Sequence, residues 1–401
     1  MKSFSQREGG RKLAGWKRQG IVFLTALILL STLSLPAYCQ ELETTAQSAL
    51  LLDAHSGAVL FEKEPHVPRP PASMTKIMTL LLAFDAISAG KARLEDRVLV
   101  TEGVNTLGDN PGTWVWLEPG EEWSLEELLI AIAVASANDA CIAVAEHLAG
   151  SEEAFVQLMN QRAQALGMKN TNYQNSHGLT AENHYMSAYD TALLSREALK
   201  YPDLLRLTSI YEYPGFRPEP RRLDLWNTNK LLVWYEGVDG LKTGWTEEAG
   251  YCLAATAERD GMRLISIVMG CPAANSHFTE TIKLLQYGFN NFSSERIVSR
   301  GQIIELLPVF RGREEVVELV ADTDLYLTLP RGEGDFTTKI ELTQKSVTAP
   351  LAAGTQCGQL QVWRQGQIIA TVPLVTGREL VKGNPFLFSW RLLREWFSFR
   401  K

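Results

Sequence analysis

The order of predicted elements in this chain points to an α+β fold: an antiparallel sheet flanked by helices, with a helical subdomain, followed by a small all-β C-terminal domain. Three observations carry this. A hairpin signal is followed by a block of helix signals, then by three strand signals and a helix, and such segregation favours an antiparallel sheet covered by helices. From about residue 295 the texture changes to short β segments broken by Gly, Pro and Asp. At 401 residues, with 45% hydrophobic and 21% charged, the chain is long enough for two cores.

The first residues belong to neither domain. Lys2, Arg7, Arg11, Lys12, Lys17 and Arg18 stand against Glu8, an apolar run follows from Ile21 to Leu35, and Ala37-Tyr38-Cys39 is a small-x-small site. That order is a secretory signal peptide over residues 1–39. The rival, an uncleaved anchor helix, has a run short of the roughly 20 residues that a span needs. A lipidated Cys39 is disfavoured by the bulky Tyr38 before it. The leader carries about +5 of the formal charge of −7, so the remainder is near −12. That balance excludes nucleic acid as a partner. Cys141, Cys252, Cys271 and Cys357 sit in apolar surroundings without C-x-x-C spacing and read as buried thiols, with Cys252–Cys271 the one pairing left open. The six histidines are scattered without ligand spacing, so neither a metal nor a cofactor is expected.

Residues 48–64 read as a hairpin about Ser56-Gly57. Pro70-Pro71 then precedes an apolar run, Ile77, Met78, Leu80, Leu81, Leu82 and Phe84, which marks a helix start near Ser73 and an end at Gly90. A helical region over 121–149 has Ser124 and Glu127 as a capping box and a break at Ala135-Ser136-Ala137-Asn138-Asp139. Helices follow over 152–166, closed by Gly167, and 187–199, with Ser187 and Asp190 as a second box. Val238 to Trp245 has strand character. Tyr251–Ala257 and Leu264–Gly270 flank the turn signal Asp260-Gly261, and a helix from Ala273 to Phe289 completes the unit. Strands are then expected over 303–307, 316–320, 325–329, 339–342 and 368–374. At 385–401, Arg391, Arg394, Glu395 and Ser398 share one stripe while Trp390, Trp396, Phe397 and Phe399 fill the rest. This is a short amphipathic helix suited to a membrane interface; the alternative is a helix packed on its own β domain.

Ser73 and Lys76 are three residues apart and share a helix face, where a lysine of lowered pKa can take the serine proton. The spacing alone is a poor signal, since Ser88-Ala89-Gly90-Lys91 repeats it at a helix end. What separates them is the rest of the chain: Ser136-Ala137-Asn138 in an interhelical turn and Lys242-Thr243-Gly244 on a strand. In isolation Ser136 and Asn138 could simply cap helices. Together and in this order the three motifs match the pattern stated for penicillin-binding proteins and class A β-lactamases.

On these motifs the chain resembles the low-molecular-mass penicillin-binding proteins that are serine-type D-alanyl-D-alanine carboxypeptidases. The likeness extends through Glu118-Pro119-Gly120, Asn138-Asp139-Ala140, the 150–155 stretch Gly-Ser-Glu-Glu-Ala-Phe, His177-Gly178-Leu179, Asn227-Thr228-Asn229 and Gly237-Val238-Asp239-Gly240-Leu241. It implies a β-lactamase/DD-peptidase-like catalytic domain over 40–294, a β-rich domain over 295–383 and a membrane-anchor helix over 384–401. It also implies removal of the terminal D-alanine from peptidoglycan stem pentapeptides, β-lactam antibiotics as covalent inhibitors, and export to the outer face of the cytoplasmic membrane. Catalytic roles fall on Ser73, Lys76, Ser136 and Asn138, and substrate binding on Lys242, Thr243, Gly244 and Trp245. Ala137, Trp245 and Ser176 depart from the family's usual Gly, smaller or more polar residue, and Pro. A DD-endopeptidase or transpeptidase would share the mechanism. A β-lactamase would need a water-positioning Glu-x-x-Leu-Asn, which is absent between the second and third motifs. A non-catalytic wall-binding protein would usually have lost one motif residue, and all are present here.

Overall fold

The computed structural model describes residues 42–108 and 112–384. The leader expected over residues 1–39 and the terminal helix expected over 385–401 lie outside the described residues.

The first part of the chain forms β1 (Ser48–Asp53), β2 (Val59–Lys63), β3 (Arg97–Leu99), β4 (Glu122–Ser124), β5 (Glu212–Arg217), β6 (Leu223–Trp226), β7 (Val238–Thr246), β8 (Gly250–Arg259) and β9 (Met262–Cys271). Its helices are α1 (Lys76–Ser88), α2 (Leu125–Ile130), α3 (Asn138–Ala149), α4 (Glu152–Ala165), α5 (Ala188–Ala198), α6 (Pro202–Thr208), α7 (Leu231–Trp234) and α8 (Ser276–Asn291). The main sheet runs β2-β1-β9-β8-β7, antiparallel throughout. This is the expected α+β class.

β1 is buried along its whole length because both sheet faces are covered. Leu50 and Leu52 enter the core shared with α1 and α3, whereas Leu51 meets α8, where Gly288 leaves room for it and for Leu264. Successive strand residues point to opposite faces, so a doubly covered strand reads as a continuous apolar run. Each leucine fully buried in this way contributes roughly 1.5–3 kcal/mol. The β8–β9 hairpin turns at Asp260 and Gly261, both at positive φ, as the sequence signal requires.

The box at Ser124 is complete: its hydroxyl accepts from Glu127 N at 3.2 Å and Glu127 Oε2 accepts from Ser124 N at 2.8 Å. The one at Ser187 is not. Ser187 Oγ accepts from Asp190 N, but the Asp190 carboxylate accepts from Asn170 N at 2.7 Å and Thr171 Oγ1 at 2.8 Å, tying α5 to the preceding loop. The region expected as helix from 121 begins instead as β4, paired with β3.

Beyond α8 the chain forms β10 (Phe292–Val298), β11 (Ile303–Phe310), β12 (Val316–Ala321), β13 (Leu325–Pro330), β14 (Thr337–Leu342), β15 (Val347–Thr348), β16 (Gln356–Arg364) and β17 (Gln367–Thr376). β10 pairs with β13, and a six-stranded sheet runs β14-β16-β17-β12-β11-β15 over its own apolar core, which includes Leu307, Val317, Leu319 and Leu374. β16 escaped the sequence reading because Gln359 and Gln361 interrupt its apolar residues; both amides donate to Glu341 Oε2 across the ladder. The described cysteines Cys141, Cys252, Cys271 and Cys357 are free thiols, so the Cys252–Cys271 pairing is not formed.

Candidate active site

Ser73 sits in a 3-10 turn, Ala72–Thr75, and the α-helix itself begins at Lys76. The expected α-helical start at Ser73 is thus corrected by one turn. Ala72 is held at φ 47°, a conformation costly for a non-glycine residue, and it re-aims the chain just before the serine. Ser73 and Lys76 still meet: Lys76 Nζ lies 2.8 Å from Ser73 Oγ and 2.6 Å from the His177 carbonyl, to which it donates.

Lys76 is completely buried, and burial brings its pKa from 10.5 down to about 8, with Cys141 and Asp139 pulling the other way. Lys242 is equally enclosed and is pushed well below its ordinary value, by burial first and then by the Lys76 charge. Loss of solvent is the leading cause at both lysines. His177 and His184 are held neutral, at about 3 and about 4, by burial and then by the Lys76 charge.

Ser136 ends a π-turn over Ala131–Ala135 in the left-handed conformation, φ 65°, and α3 starts at Asn138. Small residues on both sides permit this tight reversal. The loop is pinned from outside: Asn138 N donates to Thr113 O at 2.7 Å, and the buried Asp139 carboxylate accepts from Val115 N, Leu117 N and Ala140 N at 3.0–3.2 Å. Burial raises the Asp139 pKa against those hydrogen bonds.

Lys242, Thr243, Gly244 and Trp245 lie on β7, the edge strand beside Ser73. A Cβ on Gly244 would stand 2.9 Å from Pro71 O and 3.2 Å from Ser73 N. Glycine at this position lets the strand close on the nucleophile's turn. Thr243 Oγ1 and Thr228 Oγ1 share a hydrogen bond of 2.6 Å.

Ser73, Ser136, Thr243, Gly244 and the exposed Trp245 line a cleft of 280 Å³. Lys76, Asn138 and Lys242 stand behind its wall. The lining also includes Thr228, Lys230 and His277, none with an individual role assigned from sequence, although Asn227-Thr228-Asn229 is part of the resemblance. A larger cavity of 590 Å³ between Arg196, Arg263 and Tyr326 borders none of the motif residues. Volume alone does not make a site, and the chemistry sits in the smaller cleft.

A serine against a desolvated lysine, beside an edge strand and a left-handed serine turn, defines an active-site-serine acyl-transfer enzyme. The family model for D-alanyl-D-alanine carboxypeptidase matches residues 36–273, and that for the penicillin-binding protein 5 C-terminal domain matches 292–382. The chain therefore belongs to the D-alanyl-D-alanine carboxypeptidase family of low-molecular-mass penicillin-binding proteins. It is 37% identical to D-alanyl-D-alanine carboxypeptidase DacF of Bacillus subtilis, over 90% of this chain and 92% of that one. The crystal structure of penicillin-binding protein 5 from Haemophilus influenzae is 34% identical, with a TM-score of 0.75 over 85% of this chain and 98% of that one. Penicillin-binding protein D2 of Listeria monocytogenes, solved with cefotaxime bound, is 31% identical, with a TM-score of 0.55 over 62% of this chain and 98% of that one.

Proposed function

We propose that the chain works as a serine D-alanyl-D-alanine carboxypeptidase through Ser73, removing the terminal D-alanine of peptidoglycan stem pentapeptides by way of an acyl-enzyme. Neutral Lys76 takes the Ser73 proton as Oγ attacks the carbonyl between the two D-alanines. The backbone N–H groups of Ser73 and Trp245 receive the oxyanion, each donor worth roughly 2.7–4 kcal/mol of barrier. The peptide C–N bond breaks, Ser136 relays the proton from Lys76 to the departing amine, and water then hydrolyses the ester. Asn138 holds Lys76 and the substrate backbone, and Lys242 and Thr243 bind the terminal carboxylate. β-Lactams acylate the same serine.

The observation that carries this reading is the 2.8 Å contact between Ser73 Oγ and a lysine amine whose burial lowers its pKa to about 8. Mass spectrometry after penicillin treatment is expected to find one adduct, on Ser73 and none on Ser88, and a D-Ala-D-Ala pentapeptide is expected to lose one alanine. A label mapped to another serine overturns the assignment.

The leader of residues 1–39 and the amphipathic segment of 384–401 place the enzyme, exported, on the outer face of the cytoplasmic membrane. Trp390, Trp396, Phe397 and Phe399 favour the headgroup region, and Arg391, Arg394, Arg400 and Lys401 add on the order of 1 kcal/mol each near anionic lipid. Removing 385–401 is expected to abolish flotation with anionic vesicles while turnover in solution stays nearly intact. If the full-length protein also stays at the bottom of the gradient, the segment packs on its own domain.

A further inference from the structure

The 150–155 stretch belongs to the resemblance, yet the mechanism above assigns it nothing. In the structure its Glu152, near the start of α4, reaches the segment behind Lys76. Glu152 Oε1 accepts from Ser176 N at 2.9 Å and from Ser176 Oγ at 2.6 Å, and it stands 3.6 Å from His177 Nε2. One residue on from Ser176, the His177 carbonyl accepts from Lys76 Nζ at 2.6 Å. Thr79 Oγ1 donates to Ser176 O at 2.5 Å, and Asn175 Oδ1 accepts from Gly178 N at 2.6 Å, so the segment is gripped from several sides.

The His177 carbonyl matters for a chemical reason. A neutral amine has two N–H bonds and one lone pair. To take the Ser73 proton, Lys76 must aim its lone pair at Ser73 Oγ, so its N–H bonds must point elsewhere. A carbonyl at 2.6 Å that cannot donate fixes one of them. His177 Nδ1 accepts from Leu179 N at 3.2 Å, which leaves the proton of the neutral ring on Nε2, the nitrogen turned to Glu152.

We propose that Glu152 is a positioning residue for the general base: by holding the Ser176 N–H and hydroxyl it fixes the segment that places the His177 carbonyl on Lys76 and so turns the lone pair to Ser73. This rests on the assignment of Ser73 and Lys76 above. Acylation of the unaltered enzyme tests that assignment separately, so the two can fail independently.

The groups facing Lys76 that bear on a pH profile are Asp139 and Cys141 of α3, Lys242 of β7, and His177 and His184 of the loop before α5. Beside Glu152 stand His177 and, through the field at its thiol, Cys141.

The experiment measures acylation of the full-length enzyme by a fluorescent penicillin across pH, with thermal melting to fix the folded fraction. Glu152→Ala is expected to lower the plateau rate on the order of 10²-fold, the cost of a small misplacement of a reacting group. It also lowers the pH midpoint, because the lost carbonyl bond favoured the charged amine. Glu152→Gln keeps an oxygen for both Ser176 donors and is expected to restore most of the rate and the midpoint. Wild-type behaviour of Glu152→Ala overturns the proposal. A lower rate with an unmoved midpoint, or a Gln variant as impaired as Ala, overturns it equally.

Discussion

Lys76→Arg is expected to slow acylation of Ser73 on the order of 10²–10⁴-fold, the usual worth of a general base. Arginine keeps the charge but holds its proton above about pH 12, so it cannot accept another. In the unaltered enzyme, burial lowers Lys76 to about 8, so below that pH most molecules carry the ammonium form and are inactive as base. Acylation therefore rises with pH and levels off above about 8, whereas the arginine variant shows no such limb. Stopped-flow acylation from pH 6 to 10 checks both statements. Near-normal rates in Lys76→Arg would move the base elsewhere and leave Lys76 an electrostatic part.

Asp139→Ala is expected to cost on the order of 3 kcal/mol or more, since it strands backbone donors at Val115, Leu117 and Ala140, each worth about 1–3 kcal/mol when buried and unpaired. For a domain of this size that corresponds to a melting shift of roughly 6–12 °C. Activity should fall further than stability, because the same contacts hold the 113–117 loop against the Ser136 turn. Asp139→Asn is expected to be milder. Burial raises the carboxyl's folded pKa, so its stability contribution is full below the unfolded pKa and is lost as pH rises through the folded one; a neutral amide avoids that loss. Calorimetry with penicillin labelling of the folded fraction tests this. An alanine variant that melts as the parent does would show that water replaces the carboxylate.

What local chemistry encodes was legible beforehand. The β8–β9 hairpin follows from Asp260-Gly261, whose positive φ the turn demands, and the complete box at Ser124 from a spacing of three residues. The contact of Ser73 with Lys76 also spans three residues, and a tight turn followed by helix brings them together whether the turn is 3-10 or α. The break before Asn138 showed in its small and capping residues. Weakly patterned elements were missed, β16 with its buried glutamine and the short strands β3 to β6, because long-range pairing makes them strands and their own sequence does not.

The sequence by itself determined the residue types, the three motifs, the order of the strongly patterned strands and helices, and through them the family. Only the tertiary structure decided what those residues experience. Lys76 and Lys242 have depressed pKa values because helices and sheet exclude water from them, and exclusion is a property of packing. Gly244 faces Ser73 N because an edge strand closes on a turn far from it in the chain. Glu152 reaches Ser176, and through its neighbour the catalytic amine, across 24 residues, from the start of α4 to the loop that follows it. No periodicity records such a contact, since a side-chain hydrogen bond between distant segments leaves no trace in the local φ/ψ preferences from which strands and helices are read.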